Sequence, residues 1–144
     1  MDGSAPDDFL YKDEALRIRG AIFQVYRAMG AGVLEAVYQE CLGIEFTRRD
    51  IPFVAMKPLN LTYGGQPLRQ SYVADLVCFD RIVVELKAQR ALAPEHRAQI
   101  VNYLRATGMK LGLLVNFGAT PRVEIERFAL SASAPSAFSA VTLS

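Results

Sequence analysis

Residues 75–87 read DLVCFDRIVVELK, and no other stretch limits the folds open to this chain so tightly. Its Leu, Val, Cys, Phe and Ile residues describe two strands joined by a short turn near Asp80 and Arg81. Strands this apolar are buried, and a carboxylate taken from water without a partner costs several kcal/mol or takes up a proton. Asp75, Glu85 and Lys87 therefore need an account. Side chains alternate across a strand, so Glu85 and Lys87 share a face. Asp75 joins them only if the strands pair with an even index sum, 75 opposite 85 or 75 opposite 87. That demands an odd-length turn or a bulge around Asp80 and Arg81. With that register, two carboxylates and an ammonium converge in one patch, on a face that the second and third helices of the chain are expected to approach.

The rest of the sequence supplies the frame. Residues 1–11 are acidic and broken by Gly and Pro, a loose leader. Apolar positions from Lys12 to Met29 recur at helical spacing, GAG at 30–32 breaks the pattern, and a second helix is expected over about 33–49. Strand texture follows: FVAMKPLNLTY at 53–63, the turn GGQP, LRQSYVADLVCF at 68–79 and IVVELKA at 82–88. Pro58 marks the first of these as an edge or a bulge. A third helix begins at Pro94 and closes at Gly108. KLGLLVNF at 110–117 reads as a fully buried strand, and RVEIERF at 122–128 alternates like an exposed last one. The Ser/Ala-rich segment 131–144 reads as a loosely attached tail. One α/β domain over 12–130, a sheet with helices on both faces, is the expected architecture.

Length and charge narrow the function. A chain of 144 residues suits a single core. No apolar run is long enough to span a bilayer and no basic, apolar leader opens the chain, so a soluble, cytoplasmic protein is expected. Cys41 and Cys78 lack metal-site spacing and read as reduced core thiols. Net charge is +1, too low for a strongly basic nucleic-acid coat. Residues 1–14 hold five acids and one Lys, however, leaving 15 Lys and Arg against 10 Asp and Glu in the remainder, which is compatible with a phosphate-binding face.

Two carboxylates on adjacent strands, completed by waters and a substrate phosphate, suit the hard, octahedral preference of Mg²⁺ or Mn²⁺. A lysine two residues from a ligand can orient an attacking water or offset phosphate charge. Phosphodiester hydrolysis is the matching chemistry, and a salt bridge bracing the sheet is the alternative.

Asp75, Glu85 and Lys87 in a strand, turn, strand context resemble the motif of the PD-(D/E)XK nuclease superfamily. Ala74 stands where the superfamily's name has Pro. GVLEAVY at 32–38 resembles the Gly-x-x-Glu-x-x-Tyr signature of the GxxExxY family within it, and QIVNY at 99–103 resembles a Gln-x-x-x-Tyr motif of related nuclease domains. The resemblance covers roughly residues 12–128. It implies a restriction-endonuclease-like αβββαβ core with an extra N-terminal helix, and a metal-dependent nuclease acting on DNA. Within it Asp75, Glu85 and Glu35 would be metal ligands, Lys87 the residue that positions water, and Gln99, Tyr103 and Tyr38 supporting contacts. Such single-motif nucleases often dimerise, so a homodimer is a further expectation. The competing reading is a nuclease fold that grips nucleic acid or a protein without cutting it. From the residues alone, Glu35 could also serve a helix N-terminus, Tyr38 a core, and Gln99 with Tyr103 the margin of an amphipathic helix. His96, the one histidine, could touch a phosphate or be structural.

Overall fold

The apolar spacing of the first third resolves into two helices in the computed structural model of the protein, which describes residues 10–130 and, as backbone, 138–143. Helix α1 (Lys12–Met29) buries Ile18, Ala21, Ile22 and Val25, positions that share one face. It stops at Gly30, whose φ of 67° costs a glycine nothing. Helix α2 (Glu35–Arg48) buries Tyr38, Leu42 and Phe46, one residue per turn. The Tyr38 hydroxyl donates to the Gly30 carbonyl at 2.5 Å and accepts the Val33 N–H at 3.3 Å. Its ring stacks on Phe117 with centroids 4.3 Å apart, so one side chain fastens the turn between the helices to the core. At the other end of α2, Arg17 donates to the carbonyls of Arg49 and Asp50, both at 3.0 Å, acceptors that a helix C-terminus leaves open.

Six strands form one sheet in chain order: β1 (Phe53–Tyr63), β2 (Gln66–Cys78), β3 (Ile82–Lys87), β4 (Leu111–Asn116), β5 (Glu124–Leu130) and β6 (Phe138–Leu143). Only β3 and β4 run parallel, because helix α3 (Pro94–Thr107) carries the chain back between them. Gly64 and Gly65, with φ of 56° and 79°, make the two-residue turn between β1 and β2. Strand β1 lies at the sheet edge, where Pro58 is tolerated. Helices α1 and α2 cover one face over Leu76, Val84, Leu86 and Leu113. Helix α3 covers the other through Ile100 and Leu104, packed on Val77, Val83 and Leu114. It sits close because β4 carries Gly112, where a Cβ would fall 2.9 Å from Ile100 Cδ1. The expected α/β class and mixed sheet are present. Among the described residues no helix is long and apolar enough to cross a membrane.

Three expectations change. The second and third helices approach opposite faces of the sheet, not the same one. Strand β5 is buried, not exposed, because residues 138–143 pair along its outer side as β6. Its charged residues are accommodated one by one: Glu126 takes the Arg97 guanidinium at 2.8 Å, and Arg127 donates to the Leu10 carbonyl at 2.7 Å. Part of the Ser/Ala-rich tail is therefore strand, while 131–137 and 144 lie outside the described residues, as does the leader over 1–9.

Tyr38→Phe keeps the stack on Phe117 and removes the hydroxyl that serves Gly30 and Val33. Urea unfolding is expected to show a loss of roughly 1–2 kcal/mol, with no change in divalent-ion binding; an unchanged midpoint would deny Tyr38 its fastening role.

Candidate metal centre

The turn between β2 and β3 fixes the site. Phe79, Asp80 and Arg81 form a three-residue connection, odd in length as the parity condition requires. Phe79 and Asp80 both adopt left-handed backbone, φ 56° and 57°, and the Arg81 N–H returns to the Cys78 carbonyl at 3.0 Å. The strands then pair Cys78 with Ile82, Val77 with Val83 and Leu76 with Val84. One step further along that register, Asp75 stands opposite Glu85.

At that step the main-chain ladder gives way to side chains. The Asp75 N–H donates to Glu85 Oε1 at 3.1 Å, and the Leu86 N–H donates to Asp75 Oδ2 at 2.8 Å. Each carboxylate accepts an amide of the opposite strand, the sort of charge-assisted bond that contributes roughly 1.5–3 kcal/mol. Strict alternation in β2 also fails at this point. Tyr72 and Ala74 pack on the α3 side, Leu76 and Cys78 on the α1/α2 side, and Val77 again on the α3 side.

The irregularity brings Tyr72 into the site. Its hydroxyl donates to Glu85 Oε1, and its ring stacks on Tyr103 of α3, centroids 3.8 Å apart and planes within 7°. Burial first, then the adjacent Glu85, hold the Tyr72 phenol far above its ordinary range, so it stays a donor. Burial also pushes the Glu85 carboxyl up to about 7, with the Asp75 charge adding to the rise and the bonds from Tyr72 and the Asp75 amide opposing it. Lys87, half-buried, shares the Glu85 face, and a narrow cleft is lined by Tyr72, Glu85, Lys87, His96, Gln99 and Tyr103.

Asn116 holds the end of β3 in place. Paired with Lys87 and fully buried, it accepts the N–H groups of Gln89 and Gly118 and donates to the Gln89 carbonyl and Glu124 Oε1, all within 3.1 Å. His96 caps α3, its Nδ1 accepting the Ala93 N–H at 3.0 Å.

Asp75, Glu85, Lys87, Gln99 and Tyr103 thus converge around one strand pair and the face of α3. Two expected site residues lie elsewhere. Tyr38 is a core residue under α2, on the far side of the sheet. Glu35 is exposed at the first position of α2, and no group of three or more His, Cys, Asp or Glu close enough to hold an ion occurs among the described residues. Sequence reasoning missed Tyr72 and Asn116. Asn116 was signalled by a polar residue ending an apolar strand. Tyr72 was not, since an odd spacing from Asp75 puts it on the opposite face of a regular strand.

The donor set fits a hard divalent ion. Asp75 Oδ1 and Glu85 Oε2 make no hydrogen bond among the described residues, and burial with the adjacent Asp75 charge raises the proton affinity of Glu85, which a cation would relieve. The mixed sheet and the paired carboxylates beside a lysine define a restriction-endonuclease-like domain. The family model described as the PD-(D/E)XK nuclease superfamily matches residues 12–128, and the chain belongs to that superfamily. No curated protein and no solved structure matches it.

With the ion withheld, the folded protein binds a proton at Glu85 more tightly than the unfolded chain, whose glutamates titrate near 4.3. The stability contributed by protonated Glu85 is then complete below about pH 4 and lost as pH rises to about 7. Chelator-treated protein should become easier to denature across that window, and Glu85→Gln should flatten the dependence. Tyr72→Phe removes a donor to the ionised carboxylate, so the Glu85 carboxyl resonance should titrate higher still; titration at a lower pH would contradict the assigned bond.

Proposed function

We propose that the protein is a Mg²⁺- or Mn²⁺-dependent deoxyribonuclease of the GxxExxY branch of its superfamily. The observation that carries this reading is the reciprocal bonding of Asp75 and Glu85, which leaves one oxygen of each free, with Lys87 lining the same cleft as Glu85. Asp75 Oδ1 and Glu85 Oε2 would hold the ion, while Glu35, exposed at the first position of α2, stands outside this pair. When bound, the ion supplies positive charge against the scissile phosphate and lowers the pKa of a water. Lys87 orients that water or meets charge on the phosphate oxygens, without leaving the strand that also carries Glu85. Tyr72 holds Glu85 in its rotamer, Tyr103 braces Tyr72, and Gln99 offers an amide to substrate across the cleft. Water is limited on the α3 side, where the helix lies over the sheet.

Single-stranded, duplex and branched DNA incubated with each ion provide the test. Cleavage is expected with Mg²⁺ or Mn²⁺, and Asp75→Ala and Lys87→Ala should each lower its rate by about 100-fold or more, while thermal unfolding with chelator present shows both variants folded. Absence of cleavage of every substrate with either ion would overturn the assignment.

A further inference from the structure

A hollow of about 670 Å³ lies away from the carboxylate cleft, between the outer face of α2 and the edge strand β1. Ala36, Gly43, Ile44, Thr47, Phe53 and Ala55 line it. Gly43 gives it depth: a Cβ there would come within 3.4 Å of the Phe53 ring, so a larger side chain would roof the ring over. The lining is largely apolar and open to solvent, with Ile44 48% exposed. Contiguous apolar surface beside a long edge strand marks an interaction site.

Charges on α2 identify what it receives. Glu40 and Arg48 line the same hollow, two turns apart on one stripe of the helix, with Ile44 midway between them. A second α2 laid antiparallel about a two-fold axis at Ile44 brings Glu40 onto the partner's Arg48 and Arg48 onto the partner's Glu40. Such reciprocity is what an isologous interface requires. The same axis sets Ile44 over the depression that Gly43 leaves in the other copy. Arg48 is available for the contact: its side chain is 72% exposed and 3.7 Å from Glu45, which already holds Arg49 at 2.7 Å. A parallel arrangement would place like charges together.

We infer that the protein forms a two-fold homodimer through the outer face of α2 and the Phe53–Ala55 end of β1. The inference is independent of the nuclease reading, since nothing in it uses the carboxylate cleft. Sedimentation of the full chain over a range of concentrations tests it. The unaltered protein is expected to dimerise, and Glu40→Arg and Arg48→Glu should each weaken the dimer by about tenfold or more. The combined reversal E40R/R48E should recover most of the loss. Within one chain those positions are about 12 Å apart, so recovery can come only from a contact between copies. A protein that stays monomeric at every concentration, a dimer indifferent to both single reversals, or a double reversal no better than the singles would each overturn the proposal. So would a monomer that dimerises only when residues 1–9 are removed, because the leader would then be the occupant.

Discussion

Two backbone amides decide where the carboxylates of this protein stand. The β2–β3 ladder ends at Leu76 and Val84, and beyond it the N–H groups of Asp75 and Leu86 have Glu85 and Asp75 side chains as acceptors in place of main-chain carbonyls. A buried amide without an acceptor is costly, so neither carboxylate can swing away without orphaning a strand. The consequence runs in both directions. The sheet holds the two acids at fixed separation, and the acids let the strands part there without loss of hydrogen bonding. Architecture engages two of the four carboxylate oxygens and leaves the other two open.

The turn that imposes this register is held under tension by its neighbours. Left-handed backbone at two successive residues other than glycine costs on the order of 1–3 kcal/mol each. Contacts from three sides offset it: the Phe79 N–H donates to the Pro52 carbonyl at 2.9 Å, Arg17 of α1 lies 5.3 Å from the Phe79 ring centre, and Asp80 meets Lys57 of β1 at 3.1 Å. Residues that looked incidental in the sequence are thereby tied to a helix and to the edge strand. The site geometry depends on contacts at the opposite end of β3.

Much of this was legible in the sequence because period and punctuation agreed. The helices from Lys12 and Pro94, the Gly64-Gly65 hairpin and the edge position of β1 follow from apolar spacing, glycine pairs and one proline. Parity limited Asp75 to a place opposite Glu85 or Lys87 if the three charges were to share a face, and the structure sets it opposite Glu85. What escaped depended on irregularity or on distant chain. The change of face at Asp75 hid Tyr72, since strict alternation points it away from the site. The burial of β5 depends on a sixth strand drawn from a segment whose Ser and Ala residues carry little strand signal. The faces taken by α2 and α3 are a matter of topology, so a shared approach to the site could be imagined from the sequence but not tested. Glu35, assigned by resemblance, sits on the first turn of α2, and its reach toward the acids is not something local pattern encodes.

Asn116 carries a consequence of its own. The segment 88–93 between Lys87 and α3 has no regular structure, yet one amide side chain fixes its start through both a donor and an acceptor bond to Gln89. The same nitrogen faces Glu124. Aspartate has nearly the same shape, but at this position it would turn an oxygen toward a carbonyl and toward another carboxylate. Of two side chains differing by one atom type, only the amide matches both neighbours, so the path of the chain leaving β3 is specified by hydrogen-bond polarity more strictly than by volume.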